Sequence, residues 1–489
     1  MSIMANLTKE DIRDVIETIK GLYLEDRIPW ICGYSGGKDS TAVVQLVCMA
    51  LSELPKDKLN KIVHVISTDT LVEQPVVALW ATASLNKMRE KATEEGLPII
   101  PHRLTPVTKN TFWVNLIGRG YPYPRRDFRW CTDRLKIDPS NRFIKDILDA
   151  ESEAILVLGS RKAESATRKA VMEGYERKRY RENLSPNGSF PNSYVFTPIE
   201  NWSNDNVWQF LVQYPNPWGH SNKDLLAMYS GASSDGECPL VIDTSTPSCG
   251  NSRFGCWVCT MVTEDKSMAA MIQNDEEKSW MLPLLEFRND IAGDWQTDRD
   301  RRDFRRRDGH LTYHNGRLVH GPYNQETRLY FLRRLLQVEK LIHEIGPEEI
   351  KEVPLITEDE LRLIRQIWLD EFHEFDDMLP VIYKEETGKE YNDGTISKNK
   401  YFGAEETKLL KDVSAELFKE QTLLPEMLRA LLDTEAKAAA TSNKRNVILN
   451  FEKEIKKAFY KDEDDAEAMA ARRIQQLNDA INDTDEFVE

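Results

Sequence analysis

The octapeptide Tyr34-Ser35-Gly36-Gly37-Lys38-Asp39-Ser40-Thr41 constrains the fold of this chain more than any other stretch. It follows a short apolar run, IPWICGY at 28–34, and precedes a segment with apolar residues at three- and four-residue steps from Ser40 to Leu54. Such a pattern predicts a strand, a glycine turn and a helix in that order. Two adjacent glycines let the backbone approach a ligand closely, and the amides at a helix start point outward as donors to an anion. Ser35 and Ser40 add hydroxyl donors, and Lys38 brings a charge for a polyphosphate oxygen. The G-x-x-x-x-G-K-S/T spacing of a Walker A loop is absent.

This loop heads an alternating pattern. The runs KIVHVIS at 61–67 and AILVL at 154–158, and a shorter one at 194–197, read as further buried strands, with helical stretches between them. The expected fold class is therefore α/β, a mostly parallel sheet with helices on both faces, followed by a Cys-rich module and an α-helical C-terminal region. Composition places the boundaries at 1–215, 216–330 and 331–489. The stretch RENLSPNGSFPN at 181–192 has loop composition, and periodicity fades from Pro215 to about Met261.

Charge is segregated along the chain. The net charge is −16, which argues against a generic nucleic-acid coat, yet residues 119–181 hold sixteen Lys/Arg against ten Asp/Glu. Six arginines fall between Arg299 and Arg307, whereas the stretch from Lys461 onward has ten acidic residues against three basic ones. The arginine island reads either as a phosphate contact or as an ion-paired helix, because Asp298, Asp300, Asp303 and Asp308 are interspersed. The acidic helical tail suits protein partners. No apolar run approaches the roughly 18 residues that would span a bilayer. Seven unevenly spaced cysteines do not form a secreted disulfide framework, so a cytoplasmic protein is expected.

Four cysteines, Cys238, Cys249, Cys256 and Cys259, fall within 22 residues, the last two as C-W-V-C. Four thiolates at this range suit a structural zinc or a 4Fe-4S cluster, and sequence leaves the two open. Cys32 and Cys48 read as small core residues. Asp69, after the second strand, is placed to bind Mg²⁺ or a ribose hydroxyl, or to cap a turn. The aromatic run from Phe112 to Trp130 reads as a nucleic-acid groove or as a buried loop. Trp202 and Trp208 read as core.

The string SGGKDS resembles the pyrophosphate loop of the ATP pyrophosphatase superfamily. Arg129-Trp130-Cys131-Thr132 with Lys136 and Pro139 resembles a segment of its phosphoadenosine-phosphosulfate reductase branch. So do Gly159 to Ser165 with Arg168, and Pro198-Ile199 with Trp202, Asp205, Val207 and Trp208. The resemblance implies a pyrophosphate-loop, adenine-nucleotide α-hydrolase-like fold. It implies ATP, with Mg²⁺, on Ser35, Gly36, Gly37, Lys38, Asp39, Ser40, Asp69 and Gly159. It also implies a substrate phosphate on Arg129, Lys136, Arg161 and Arg168.

A pyrophosphate-loop domain followed by C-x10-C-x6-C-x2-C and a charged helical extension is similar to the DndC-type sulfurtransferases of bacterial DNA phosphorothioation. That resemblance implies a 4Fe-4S cluster on Cys238, Cys249, Cys256 and Cys259. Its implied partners are DNA, a cysteine desulfurase as sulfur donor and other proteins of the same system. Assimilatory reductases carry an adjacent Cys-Cys pair where this chain has Trp130-Cys131, and no cysteine follows Cys259, so sulfonucleotide reduction is not expected. The expected reaction activates a DNA phosphate oxygen with ATP and replaces it with sulfur, with Lys38, Asp39 and Cys131 as catalytic residues. The sulfur comes either from a persulfide on Cys131, whose thiol Arg125, Arg126, Arg129 and Arg134 are expected to acidify, or from sulfide at the cluster. The alternatives are an iron-sulfur tRNA thiolase and a non-catalytic DNA-binding assembly subunit.

Overall fold

The computed structural model describes residues 7–232, 254–314, 317–392, 394, 402–419, 421–440 and 446–485, so Cys238 and Cys249 lie outside the described residues. The chain forms two compact units: residues 1–110, 124–289 and 345–350, and residues 111–123, 290–344 and 351–489. This grouping differs from the linear three-part expectation. Around residue 215 the chain is stitched to the first unit, because Gln45 Nε2 donates to the carbonyls of Tyr214 and Pro215 at 3.0 and 3.1 Å. Asn222 in turn donates to Gln45 and to the Leu211 carbonyl. Residues 111–123 join the second unit because Trp113 Nε1 donates to the Leu355 carbonyl at 2.7 Å and Trp368 Nε1 to the Ile117 carbonyl at 3.1 Å.

In the first unit, α1 (Lys9–Glu25) starts at a capping box in which Thr8 and Asp11 satisfy each other's amides. There follow β1 (Trp30–Gly33), α2 (Lys38–Ser52), β2 (Val63–Thr68), α3 (Pro75–Glu95), β3 (Ile99–Leu104), α4 (Asp138–Glu151) and β4 (Ala154–Val157). Next come α5 (Ala166–Glu176), β5 (Ser185–Pro186), β6 (Ser193–Phe196), α6 (Asn204–Gln213), α7 (Asn222–Gly231), α8 (Lys266–Asn274) and α9 (Leu282–Ala292). The strands pair in the order β3-β2-β1-β4-β6-β5, parallel throughout except for the short β5.

The alternation of side chains explains why helices cover both faces. Trp30 and Cys32 of β1, Val63 and Val65 of β2, and Ile155 and Val157 of β4 enter one core with α1, α2 and α6. Ile31, Ile66, Ala154 and Leu156 enter the other, with Phe143 and Ile144 of α4. Trp30 is fully buried between Tyr23 and Phe196, and cutting it to Ala would cost about 3–5 kcal/mol. Trp202 and Trp208 are core residues, as are Cys32 and Cys48, whose thiols burial pushes up. Two elements depart from the sequence expectation. The first is β3, in which Pro101 is tolerated because an edge strand leaves one side unpaired. The second is α7, capped by Ser221 on the Asp224 amide within the stretch read as irregular.

The second unit holds α10 (Trp295–Asp300), a hairpin of β7 (Tyr313–His314) and β8 (Arg317–Leu318), and α11 (Gln325–Ile345). The remaining helices are α12 (Glu358–Glu371), α13 (Met378–Thr387), α14 (Ala404–Leu417), α15 (Leu424–Ala440), α16 (Val447–Lys457) and α17 (Glu463–Asp485). Phe331, Leu335 and Val338 of α11 and Leu361, Ile364 and Trp368 of α12 are buried at helical spacing. Five of the six arginines of the island are ion-paired: Arg301 with Asp290 at 2.9 Å, Arg302 with Asp298 at 3.0 Å, and Arg305 with Asp303 at 2.7 Å. Arg299 pairs with Glu463 and Arg307 with Glu371. Of the aromatic run, Phe112 and Trp113 are buried in the second unit and Trp130 in the first, whereas Phe128 is exposed. No described helix is long and apolar enough to cross a membrane.

Candidate functional site

Connections leave β1 and β4 toward opposite edges of the sheet, which opens a crevice at their carboxyl ends. Two loops meet there. Gly36 takes φ +74°, with the space for a Cβ closed at 3.3 Å by the Trp80 and Ala81 side chains. Trp80 Nε1 holds the Gly36 carbonyl at 3.1 Å. Gly37 caps α2 without a side chain, so no cap side chain competes with an anion at the helix start. Ser40 Oγ donates to the Gly37 carbonyl at 3.0 Å and accepts from the Ser35 amide at 3.2 Å, so the two serines brace the loop. After β4, a Cβ on Gly159 would sit 2.9 Å from the Asp39 carbonyl group and 3.1 Å from the Ser40 nitrogen. The two loops touch backbone to backbone.

Charge converges on the same point. Asp39 accepts from Lys38 Nζ at 2.8 Å and from Arg161 Nε at 2.7 Å. Arg161 is 4% exposed; its Nη1 donates to the Trp202 carbonyl and its amide to the Glu164 carboxylate. Arg168 Nη1 donates to Ser160 Oγ at 3.1 Å. A cavity of about 570 Å³ opens here, with Lys38, Lys136, Arg161 and Arg168 facing Asp39, Glu73 and Glu164 across its walls. Ser35 and Gly37 also line it, as do Tyr229, Phe254 and Gly255.

The described half of the cysteine cluster is held against this cavity by strand-like pairing. Cys256 pairs with Glu73, the Gln74 amide donates to the Gly255 carbonyl at 3.2 Å, and the Trp257 amide to the Val72 carbonyl at 3.0 Å. Thr70 Oγ1 lies 3.3 Å from Cys256 Sγ, and the Cys259 amide closes the turn on the Cys256 carbonyl at 3.0 Å. Both cysteines are unbridged. Burial pushes the Cys256 thiol up to about 11, against the opposing Lys136 ammonium. Cys256 first, then Glu73, Cys259 and Cys131, raise the Lys136 pKa. Cys131 precedes a π-helical turn (Thr132–Ile137) that feeds α4 and carries Lys136 to the cavity. Its thiol is not acidified, contrary to expectation: burial raises the pKa, Thr132 opposes, and Cys259 adds to the rise. Arg126 and Arg129 are exposed, so their charge is screened by water.

Two expected ligands are engaged elsewhere. Asp69 pairs with Arg103 at 3.2 Å and accepts from the Leu71 amide at 2.8 Å, which makes it a turn cap. Arg129 Nε donates to the Arg126 carbonyl at 3.0 Å. Sequence reasoning missed Glu73, Arg103 and Tyr229. Arg103 bridges Asp69 and Glu73, at 3.2 and 3.0 Å, because β2 and β3 end side by side. Tyr229 Oη lies 3.4 Å from the Lys38 amide and its ring packs on Trp208 and Phe254; the Ser221–Asp224 cap was the available signal for its helix.

Residues 29–218 match the phosphoadenosine phosphosulfate reductase domain family. Over 206 residues the chain is 26% identical to an uncharacterized protein of Methanocaldococcus jannaschii, a match covering 42% of this chain and 36% of that relative. This chain therefore spans little more than a third of the curated relative's length. Among solved structures, the tRNA thiolase NcsA from Methanococcus maripaludis with its 4Fe-4S cluster is 20% identical, over 42% of this chain and 62% of that one, with a TM-score of 0.27. Phosphoadenylyl-sulfate reductase from Candida auris in a phosphate complex is 13% identical, over 44% of this chain and 92% of that one, with a TM-score of 0.25.

Proposed function

We propose that this chain is an ATP-dependent sulfurtransferase of the DndC type, which adenylates a DNA phosphate oxygen and replaces it with sulfur. The observation that carries the proposal is one cavity onto which the phosphate loop, Lys136, Arg161, Arg168 and the edge of the cysteine turn all open. The match to the phosphoadenosine phosphosulfate reductase domain supports it. In the first step a non-bridging oxygen of the DNA phosphate attacks the α-phosphorus of ATP. A P–O–P link forms, the bond from the α-phosphorus to the pyrophosphate oxygen breaks, and pyrophosphate leaves. The amides at the start of α2, the Ser35 hydroxyl and Lys38 stabilise the charge on that leaving group, while Ser40 braces the loop through the Gly37 carbonyl. Arg161 and Arg168 hold substrate phosphate by charge-assisted donors.

In the second step the outer sulfur of a cysteine persulfide attacks the activated phosphorus and AMP departs. A second thiol then cleaves the S–S bond, supplying two electrons, and leaves a phosphorothioate and a disulfide. Cys131 is the proposed carrier, loaded by a cysteine desulfurase. Two unbridged thiols on one tight turn fit two corners of a 4Fe-4S cluster, which Cys256 and Cys259 would hold together with Cys238 and Cys249. When bound, that cluster supplies thiophilic iron able to hold sulfide. Asp39, the carboxylate of the phosphate loop on the cavity wall, would hold Mg²⁺ brought with the ATP phosphates.

The test begins with anaerobic purification and assay of iron, acid-labile sulfide and zinc, followed by pyrophosphate release with DNA or tRNA. About four irons and four sulfides per chain are expected, lost in Cys256→Ser and Cys259→Ser. Release is expected to depend on DNA, and Cys131→Ser is expected to keep the iron while losing sulfur transfer. Zinc without sulfide removes the cluster, tRNA-dependent release favours the thiolase alternative, and no release with either leaves an assembly subunit.

A further inference from the structure

The second unit contains a cleft of about 420 Å³ that plays no part in the reaction above. Seven lysine and arginine side chains line it against five carboxylates. Those carboxylates are already committed. Asp303 and Glu426 hold Arg305 at 2.7 and 2.8 Å, Glu454 holds Lys457 at 2.8 Å, Glu374 holds Arg328, and Glu371 holds Arg307. Arg429, on α15, is left over. It is 7% exposed, and its Nε and Nη1 have no hydrogen-bond partner among the described residues. Glu374, on which Arg429 acts electrostatically, is already occupied by two nitrogens of Arg328.

The surroundings add to this unmet demand for an anion. Arg306 donates to the Thr312 hydroxyl rather than to a carboxylate. Burial lowers the pKa of both Arg306 and Arg307, and Arg302 crowds the first while Arg119 and Arg328 crowd the second. The Phe372 ring lies 4.1 Å from the Arg328 guanidinium carbon and 5.5 Å from that of Arg307, which fixes two cationic planes in the wall. A buried guanidinium with two open donors in a positively biased cleft is built for a planar or tetrahedral oxyanion.

We infer that this cleft is a second, separate phosphate-binding site, in which Arg429 Nε and Nη1 are the innermost donors and Arg306 closes the anion's outer side. The cleft is roomier than a bare phosphate needs and suits a phosphate ester of nucleotide size. The shared chemistry is a phosphate group, borne either by a free small molecule or by a nucleic-acid backbone.

Hydrogen exchange of the full chain, read by mass spectrometry, localises binding and keeps this cleft apart from the loop at 35–40. The probes are inorganic phosphate, AMP and a 12-base-pair DNA duplex. Added probe is expected to protect peptides spanning 303–309 and 424–430, with Arg429→Gln raising the half-effective concentration about tenfold or more. Protection by AMP or phosphate alone assigns a free ligand, and protection at far lower duplex concentration assigns the nucleic-acid backbone. Absence of protection in these peptides with all three probes overturns the inference, as does unchanged protection in Arg429→Gln. Should that variant not fold, Arg306→Gln is read by the same criteria. Protection at 35–40 reports on the ATP site separately, so either site can fail without the other.

Discussion

Replacing Gly159 by alanine tests whether the loop after β4 truly abuts the start of α2. The added methyl would meet the Asp39 carbonyl carbon and oxygen at 2.9 Å and the Ser40 nitrogen at 3.1 Å. These are backbone atoms, so no side-chain rotation relieves the contact, and the helix start must retreat by roughly 0.5 Å to reach ordinary contact distance. Overpacking of this kind costs about 1–3 kcal/mol. Gly174 is the internal control, since it lies within α5 and an added Cβ there meets nothing within 4 Å. Both substitutions restrict the unfolded chain equally, and Gly174→Ala should stabilise by about 0.5–1 kcal/mol through helix propensity. Scanning calorimetry of the ATP-sensitive transition should therefore move in opposite directions for the two variants. The ATP dissociation constant should rise for Gly159→Ala alone, because the amides proposed to hold phosphate sit on the displaced turn. Equal shifts of the same sign in both variants would refute the close approach and the site geometry built on it.

Three further outcomes are expected. Tyr229→Phe keeps the ring but removes the hydroxyl that lies 3.4 Å from the Lys38 amide, so ATP should bind about 2- to 10-fold more tightly in a titration, as the freed amide is worth roughly 0.5–1.5 kcal/mol. Weaker binding would mean that the hydroxyl itself contacts phosphate. His64 and His220 are each held down to about 4 chiefly by burial, so the unfolded chain binds more protons between about pH 6.5 and 4. Their contribution is full above pH 6.5 and is lost as the pH falls through the native value. The urea midpoint should therefore drop across that window. His64→Phe, beside Phe143 at 5.5 Å between ring centroids, should flatten the drop, and an equal loss in both proteins would exclude His64 as a cause.

How far the sequence could be read depended on whether a feature is local. The strands β1, β2, β4 and β6 and the helix α2 are continuous apolar runs or periodic stretches, and their ends lie within a few residues of expectation. Strand β3 was invisible because Pro101, His102 and Arg103 break its apolar run, and only pairing with β2 makes it a strand. The Arg103 bridge between Asp69 and Glu73 joins groups 34 and 30 residues away, a distance that a linear pattern does not encode. Cys131 failed for the opposite reason. Its arginines are close in sequence, yet what raises the thiol's pKa is burial first and then a cysteine 128 positions later, against the opposing hydrogen bond of Thr132.

Helix α3 touches both halves of the proposed chemistry. The amide of Gln74, its N-cap, donates to the Gly255 carbonyl ahead of the cysteine turn, and Trp80 on the same helix donates to the Gly36 carbonyl of the phosphate loop. Six residues of α-helix separate these grips by about 9 Å, and a helix of this length neither stretches nor bends appreciably. One stiff element thus sets the spacing between the phosphate loop and the turn that bears Cys256 and Cys259.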